Sequence, residues 1–421
     1  MTVYLDHAAT APLRPEVLEQ MLPHLTGEQA NPSSPHAPGR RARAALDEAH
    51  ERLAAAIGAE PRALVFTGGG TEAINLAVKG AAWAGKAEGH RIVTSAIEHK
   101  AVLESCLLLE KYGFEVTKLA VDRYGRIDPD DLTAALTDKT VLVSLQLANN
   151  EVGTIQPIEE LVARVRAGSS ARIHLDAVQA AAWLPIDVDA LDVDLVSFAA
   201  HKVEGPKGVG ALWIRRGTAI LPQVHGGSQE RYRRAGTENV AGAVGMATAF
   251  ALATEERATV VPRVAAQRDR LREALLALEG TELTGHPEAR LPNSLSLIVR
   301  DVSGDDVVIG LDLEGIATST GSACTSGSTE PSHVLSAMGY PPAEARGSLR
   351  LSNGRTTSDE DVDALIYALP PIVDRLRAGE ARLAQEAEDA CWAGSGTWRP
   401  CPAPSTRPPR RRCWWNRDMR S

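Results

Sequence analysis

The segment 197–210, SFAAHKVEGPKGVG, carries a histidine and a lysine directly after a run of apolar residues. The run DVDLVSF has the length and β-branched content of a short buried strand, so Lys202 would lie at the end of that strand. Burial there would lower the pKa of the lysine and make its amine a nucleophile, as a Schiff base with an aldehyde cofactor requires. An isolated His-Lys pair more often begins a surface loop, so this interpretation depends on the rest of the chain.

A glycine-rich turn between a predicted strand and a predicted helix is the second chemical feature, in the segment 63–83, ALVFTGGGTEAINLAVKGAAW. Free backbone amides and the positive end of the helix dipole make such a turn a binding site for phosphate. The turn lacks the lysine of a nucleotide-binding P-loop and the spacing of a dinucleotide fingerprint. Taken alone it is weak evidence, because strand-to-helix turns are common.

Several motifs in a fixed order resemble the pyridoxal-phosphate (PLP) cysteine desulfurases of the NifS/IscS type, which share the large-domain fold of the aminotransferases. They run from about Tyr4 to about Leu383, and one departure is Glu204, where the family usually has an aromatic residue. The motifs are YLDHAAT, EHKAVL, RIHLDAVQAA, SFAAHKVEGPKGVGAL, RAGTENV and SACTS.

Asp176 follows a predicted strand and lies 26 residues before Lys202, a spacing that suits a crossover in a parallel sheet. A buried, unpaired carboxylate is costly, and a protonated pyridine nitrogen would keep it ionised. That pairing would strengthen the ring as an electron sink. The resemblance implies that the residues that bind the cofactor are Gly70, Thr71, His99, Asn150, Asp176, Gln179, Ser197, His201, Lys202 and Thr237.

The resemblance also implies a role for each of the catalytic residues. Lys202 would remove the α-proton of L-cysteine, and His99 would stack on the pyridine ring and shuttle protons. Arg350 would bind the α-carboxylate bidentately, with Asn150 beside the substrate. Cys324, in a small polar loop, would take the sulfur as a persulfide and leave L-alanine.

The partners follow from the same resemblance. RAGTENV-like segments cross a dimer interface in this family, so Thr237 would touch the phosphate of a second subunit in a homodimer. The sulfur would pass to an acceptor protein, and both an iron–sulfur scaffold and a tRNA-thiolating enzyme remain open. A selenocysteine lyase, an aminotransferase on the same fold and a non-catalytic sulfur-relay scaffold are the alternatives.

The predicted fold is an α/β large domain with a mixed, mostly parallel sheet, seven-stranded in type, and a smaller α/β domain. With 421 residues, two domains are expected. We place the large domain at 15–255 and the small domain at 1–14 with 256–390. The segment 391–421 is predicted to be a disordered basic tail.

Composition limits the function classes. Apolar residues make up 44% and charged residues 24%, as in an ordinary globular protein, and no run is long enough to span a membrane. Five irregularly spaced cysteines favour a reducing compartment and fit no metal site, so a cytoplasmic protein without metal is expected. The chain before Cys391 carries 38 basic and 53 acidic residues, a poor match for direct nucleic-acid binding.

Overall fold

The computed structural model describes residues 2–27, 30–321 and 331–393. The strands in these ranges are β1 (Val3–Tyr4), β2 (Leu64–Thr67), β3 (Arg91–Ser95), β4 (Glu115–Leu119), β5 (Thr140–Gln146), β6 (Arg172–Asp176), β7 (Leu195–Ala199), β8 (Gly210–Ile214), β9 (Thr281–Thr284), β10 (Ser294–Val299), β11 (Ile316–Ala317) and β12 (Ser348–Ser352). The helices are α1 (Pro15–Thr26), α2 (Ala37–Ala56), α3 (Gly70–Ala84), α4 (Lys100–Glu110), α5 (Pro129–Ala135), α6 (Ile158–Gly168), α7 (Val240–Leu276), α8 (Gly304–Leu313), α9 (His333–Ala337), α10 (Pro342–Ala345) and α11 (Asp359–Ala393).

A seven-stranded sheet with the strand order β2-β8-β7-β6-β5-β3-β4 forms the centre of the fold. Its strands are parallel apart from β8, which runs antiparallel to both β2 and β7. Every residue of β2, β5, β7 and β8 is buried, because helices cover both faces of the sheet. The predicted mixed, mostly parallel sheet is therefore confirmed, and its parallel strands end along one edge.

Two apolar layers lie on either side of this sheet. On one face, α2 presents Ala42, Leu46, Ala49 and Leu53, whose spacing forms a single stripe along the helix. On the other face, α3 and α4 bury their apolar residues against β5, β7 and β8. The sheet is thus held rigidly between helices, and the loops at its carboxyl edge have a fixed support.

A second apolar core joins the two ends of the chain. The strands β12, β10 and β9 form an antiparallel sheet, and β1 pairs in parallel with β11. Leu5 from the N-terminal segment is buried with Leu295, Leu349 and Leu365 in this core. Leu5 therefore packs with the C-terminal part of the chain.

Two long helices extend across the domain boundaries that were expected from the sequence. α7 continues without interruption through residue 255, so the division at 255 falls within a helix. α11 continues to Ala393, so the helix overlaps the first three residues of the segment predicted to be a disordered tail. The rest of that tail lies outside the described residues. Within the described ranges, no helix combines the length and apolar character needed to cross a membrane.

Candidate active site

A cavity of about 570 Å³ opens at the carboxyl edge of the seven-stranded sheet. Loops that follow β2, β3, β5, β6 and β7 form most of its wall, and the N-terminal segment and β12 close the remaining side. This is the position at which open α/β sheets bind ligands. The predicted site residues that line it are Gly70, Thr71, His99, Asn150, Asp176, Gln179, His201, Lys202 and Arg350.

Lys202 ends a short 3-10 turn directly after β7. Its Nζ donates hydrogen bonds to the carbonyl oxygens of Ala8 and Ala9, the second at 2.8 Å. The buried strand β7 and the N-terminal segment thus hold this amine at the wall of the cavity. A lysine so placed can reach an aldehyde group of a ligand in the cavity.

Asp176 is the last residue of β6 and is buried at the bottom of the cavity. The backbone N–H of Val178 donates to Asp176 Oδ1 at 3.0 Å. Burial raises the pKa of Asp176 to about 6, against the opposing effects of that hydrogen bond and of the Lys202 charge. A cationic pyridine nitrogen beside Asp176 would favour its ionised form, so this carboxyl fits the ring of PLP.

The turn between β2 and α3 fits a phosphate group. Gly69 has φ +146°, a backbone conformation that disfavours other residues, and its N–H precedes the free amides at the start of the 15-residue helix α3. A Cβ at Gly210 would come within 2.5 Å of Gly69, so glycine is required there too. Glu72 Oε2 accepts from the N–H of Gly68 at 2.7 Å, which leaves the amides of Gly70 and Thr71 for a phosphate.

His99 caps the N-terminus of α4 at the cavity wall. Its Nδ1 accepts a hydrogen bond from the backbone N–H of Ala101 at 3.1 Å, so in the neutral ring the proton lies on Nε2. Burial, with smaller contributions from the charges of Lys202 and His333, lowers the pKa of His99 to about 4. The ring is therefore neutral at physiological pH and can donate through Nε2.

Two polar contacts fix two further cavity residues, Gln179 and His201. Gln179 Nε2 donates to the carbonyl oxygen of Ala8 at 3.0 Å. His201 Nδ1 lies 3.2 Å from the hydroxyl of Thr10, and burial lowers the pKa of His201 to about 4. Gln179, like Lys202, is thus held by the N-terminal segment. The sequence motifs did not reveal that backbone oxygens of this segment accept hydrogen bonds from both side chains.

Arg350, on β12, is almost completely buried at the far side of the cavity. Its NH2 donates to Asp6 Oδ1 at 2.8 Å and its NH1 to the backbone oxygen of Asn150 at 3.1 Å. Asp6 was not identified from the sequence, although it belongs to the YLDHAAT motif. A guanidinium at this place can bind a carboxylate that enters the cavity.

Two predicted residues, Ser197 and Thr237, do not line the cavity. Ser197 was expected to contact the cofactor, but it is fully buried within β7, and His174 Nε2 lies 3.1 Å from its hydroxyl. Ser197 does not line the cavity, whereas Ala199, two residues further along the same face of β7, does, so the contact of Ser197 with the cofactor stays a prediction. Thr237 is exposed and does not line this cavity. Cys324 lies outside the described residues.

Glu204, the departure from the family pattern, has φ +57° and forms an ion pair with Arg355 at 2.9 Å. Its carboxylate also lies 3.9 Å from Arg14, which binds Glu256 at 2.8 Å. The charged side chain thus joins the loop after Lys202 to α7 and to the residues that follow β12. An ionic cluster therefore forms at the position where an aromatic residue was expected.

Comparison with known proteins gives consistent results. The model of the aminotransferase class-V family matches residues 3–365. The chain is 49% identical over 375 residues to cysteine desulfurase IscS of Methanosarcina thermophila. This match covers 89% of this chain and 93% of that protein. It is 50% identical over 376 residues to cysteine desulfurase IscS of Dictyoglomus turgidum, and this match covers 89% of this chain and 95% of that protein.

Solved structures agree with these sequence matches. A NifS-like protein superposes with a TM-score of 0.85 at 37% identity, covering 89% of this chain and all of that one. A NifS-like protein from Rickettsia africae superposes with a TM-score of 0.80 at 30% identity, with 89% of this chain covered. The chain therefore belongs to the aminotransferase class-V family, whose enzymes depend on PLP, and within it to the cysteine desulfurases.

Proposed function

We propose that this chain converts L-cysteine to L-alanine and keeps the sulfur as a persulfide on Cys324. The observation that carries the proposal is that Lys202, Asp176 and Arg350 surround one cavity of about 570 Å³. An amine, a buried acid and a guanidinium are the groups needed to hold PLP and an amino acid together. The overall reaction balances without an external oxidant, because the thiol of Cys324 gains one sulfur and L-cysteine becomes L-alanine.

PLP, when bound, supplies an aldehyde and an electron sink. Asp176 would hold the pyridine nitrogen, and the amides of Gly70 and Thr71 would hold the phosphate. Gln179 and His201 complete the wall around the ring. The residues present therefore fit this cofactor.

The protein groups divide the proton transfers between them. Lys202 would act as the base that removes the α-proton, because its amine lies at the wall between the N-terminal segment and the cavity. Neutral His99 would donate from Nε2, since its Nδ1 is occupied by the N–H of Ala101. Arg350 would bind the α-carboxylate, with Asn150 beside it, and so orient the substrate toward Lys202.

Sulfur transfer would be the task of Cys324. Its thiolate attacks the sulfur of the substrate, the new S–S bond forms and the C–S bond breaks. The methyl group of L-alanine is completed by a proton. An acceptor protein would then take the sulfur, and an iron–sulfur scaffold and a tRNA-thiolating enzyme are the two acceptors to compare.

We also propose a homodimer in the cytoplasm, in which Thr237 reaches the phosphate of the second subunit. Its exposure and its absence from the lining of its own chain's cavity support a role across an interface. The proposed division into a large part, 15–255, and a small part, 1–14 with 256–390, is supported by the two separate apolar cores.

A single-turnover assay tests the reaction. Holoenzyme in excess over L-cysteine, without added reductant, should form one L-alanine for each persulfide. An aminotransferase would instead convert a 2-oxo acid and accumulate pyridoxamine phosphate, and a non-catalytic relay protein would form no alanine. Either of these results would reject the proposed function. Parallel assays with an iron–sulfur scaffold and a tRNA-thiolating enzyme as acceptors would identify the pathway.

A further inference from the structure

Arg350 is held between two oxygen atoms that come from distant parts of the chain. Its NH2 contacts the carboxylate of Asp6 at 2.8 Å, and its NH1 contacts the backbone oxygen of Asn150 at 3.1 Å. Its Nε has no hydrogen-bond partner among the described residues. A guanidinium carries five N–H groups, so these two contacts fix its orientation and leave donors for another carboxylate.

Asp6 itself has little freedom to move. Its backbone forms a bridge with Ser352, two residues beyond Arg350 on β12. The N–H of Ser352 donates to the oxygen of Leu5 at 2.8 Å, and the hydroxyl of Tyr4 donates to the backbone oxygen of Asp6 at 3.2 Å. A short side chain on such a backbone holds its carboxylate in place at a low cost in conformational entropy.

Among the residues that the structure describes, Asp6 is the anionic group that contacts Arg350 directly. A second acid, Glu151, is buried and accepts a hydrogen bond from the hydroxyl of Ser332, and the charge of Arg350 lowers its pKa against the larger effect of burial. Burial raises the pKa of Glu151 to about 7, so this group compensates the guanidinium only in part at neutral pH. A buried cation without a fixed anionic partner would be costly, and Asp6 supplies that partner.

We propose that Asp6 is a positioning residue for the substrate carboxylate and acts through Arg350. Its carboxylate holds NH2 of Arg350, so that the remaining N–H groups receive the α-carboxylate of L-cysteine in one orientation. This inference rests on the proposed function, in which Arg350 binds that carboxylate. Asp6 does not touch the substrate, and it raises the selectivity of the cavity for amines that carry an α-carboxylate.

The test compares two amines that differ only in the carboxylate, L-alanine and ethylamine. Their affinities for the holoenzyme are measured at equilibrium from the change in cofactor absorbance. Asp6→Asn keeps the shape of the side chain but removes its charge. It should weaken L-alanine binding by about fivefold or more, because one charge-assisted hydrogen bond is lost. Ethylamine binding should be unchanged. KM for L-cysteine should rise by a similar factor, with a smaller change in kcat and normal cofactor content.

Three further variants separate the possible outcomes. Asp47→Asn breaks an exposed Asp–Arg pair on α2, the 2.7 Å contact with Arg43, and should change neither affinity. Asp6→Glu, which restores the charge, should recover part of the preference for L-alanine and also serves if Asp6→Asn does not fold. In an Arg350→Gln background, Asp6→Asn should have no additional effect.

Failure of this inference can be distinguished from failure of the proposed function. If Arg350→Gln leaves the preference for L-alanine intact, the carboxylate role of Arg350 is wrong. If Arg350→Gln abolishes the preference but Asp6→Asn does not alter it, only the role of Asp6 is overturned. Tighter L-alanine binding by Asp6→Asn would also overturn it, because Asp6 would then compete with the substrate.

Discussion

The amine of Lys202 is bound by the carbonyl oxygens of Ala8 and Ala9, which lie more than 190 positions earlier in the chain. Two backbone contacts extend this association, from the N–H of Ala11 to the oxygen of His201 at 2.9 Å and from the N–H of Arg14 to the oxygen of Glu204 at 3.1 Å. The N-terminal segment is therefore a wall of the active site. It gives the lysine a defined position next to the cavity.

Replacement of Lys202 by alanine should abolish the yellow absorbance of the bound cofactor and all turnover, because no other amine would hold the aldehyde. Borohydride reduction of the wild-type holoenzyme, followed by peptide mapping, should place the cofactor on Lys202. Lys111→Ala, at an exposed position, serves as the control and should retain both colour and activity. Mapping of the cofactor to a different lysine would reject the assignment.

Pattern and resemblance predicted the strand before Lys202, the glycine turn and the position of Asp176. The contact of Ser197 with the cofactor stays a prediction: Ser197 and Ala199 share one face of β7, and of the two it is Ala199, at the carboxyl end of the strand, that lines the cavity. Because the whole strand is buried, its sequence does not show how close to its end the cavity begins. The Asp6–Arg350 contact was missed for a different reason, since a pairing across 344 residues depends on the tertiary fold.

His174 should make the stability of the protein depend on pH. Its ring lies between the hydroxyls of Ser144 at 2.8 Å and Ser197 at 3.1 Å, and burial lowers its pKa to about 3. Below the unfolded pKa of about 6.5 the unfolded chain gains a proton that the folded chain does not, so stability falls as the pH decreases from about 6.5 toward about 3.

The variant His174→Gln isolates this effect, because the titrations of the other groups cancel in the difference. Between pH 6.5 and 5 the wild type should lose roughly 2 kcal/mol of unfolding free energy relative to the variant, at about 1.4 kcal/mol for each pH unit. Urea unfolding of both proteins at several pH values measures this difference. A difference that stays constant over the range would show that His174 is not held in the neutral form.

Thr237→Ala should weaken retention of the cofactor and leave folding unchanged, because an exposed hydroxyl would bind the phosphate only in the second subunit. Loss of one hydrogen bond to a charged group predicts an increase of about tenfold in the dissociation constant of PLP. Equilibrium dialysis measures this constant, and Thr133→Ala, also exposed, is the control. A fully active monomer in sedimentation experiments would contradict the proposed role across an interface.

Cys324 separates desulfuration from every other use of such a cavity, and the buried Cys106 provides a contrast. Cys106 is fully buried, and burial raises the pKa of its thiol to about 12, so it has almost no thiolate at neutral pH. Cys324→Ser should bind PLP normally and change its absorbance with L-cysteine, yet release almost no alanine, because a hydroxyl is a poor sulfur acceptor. Cys106→Ala should retain activity. Mass spectrometry of the wild-type enzyme after incubation with L-cysteine should find the added sulfur on the peptide that contains Cys324. Near-normal alanine production by Cys324→Ser would refute the assignment.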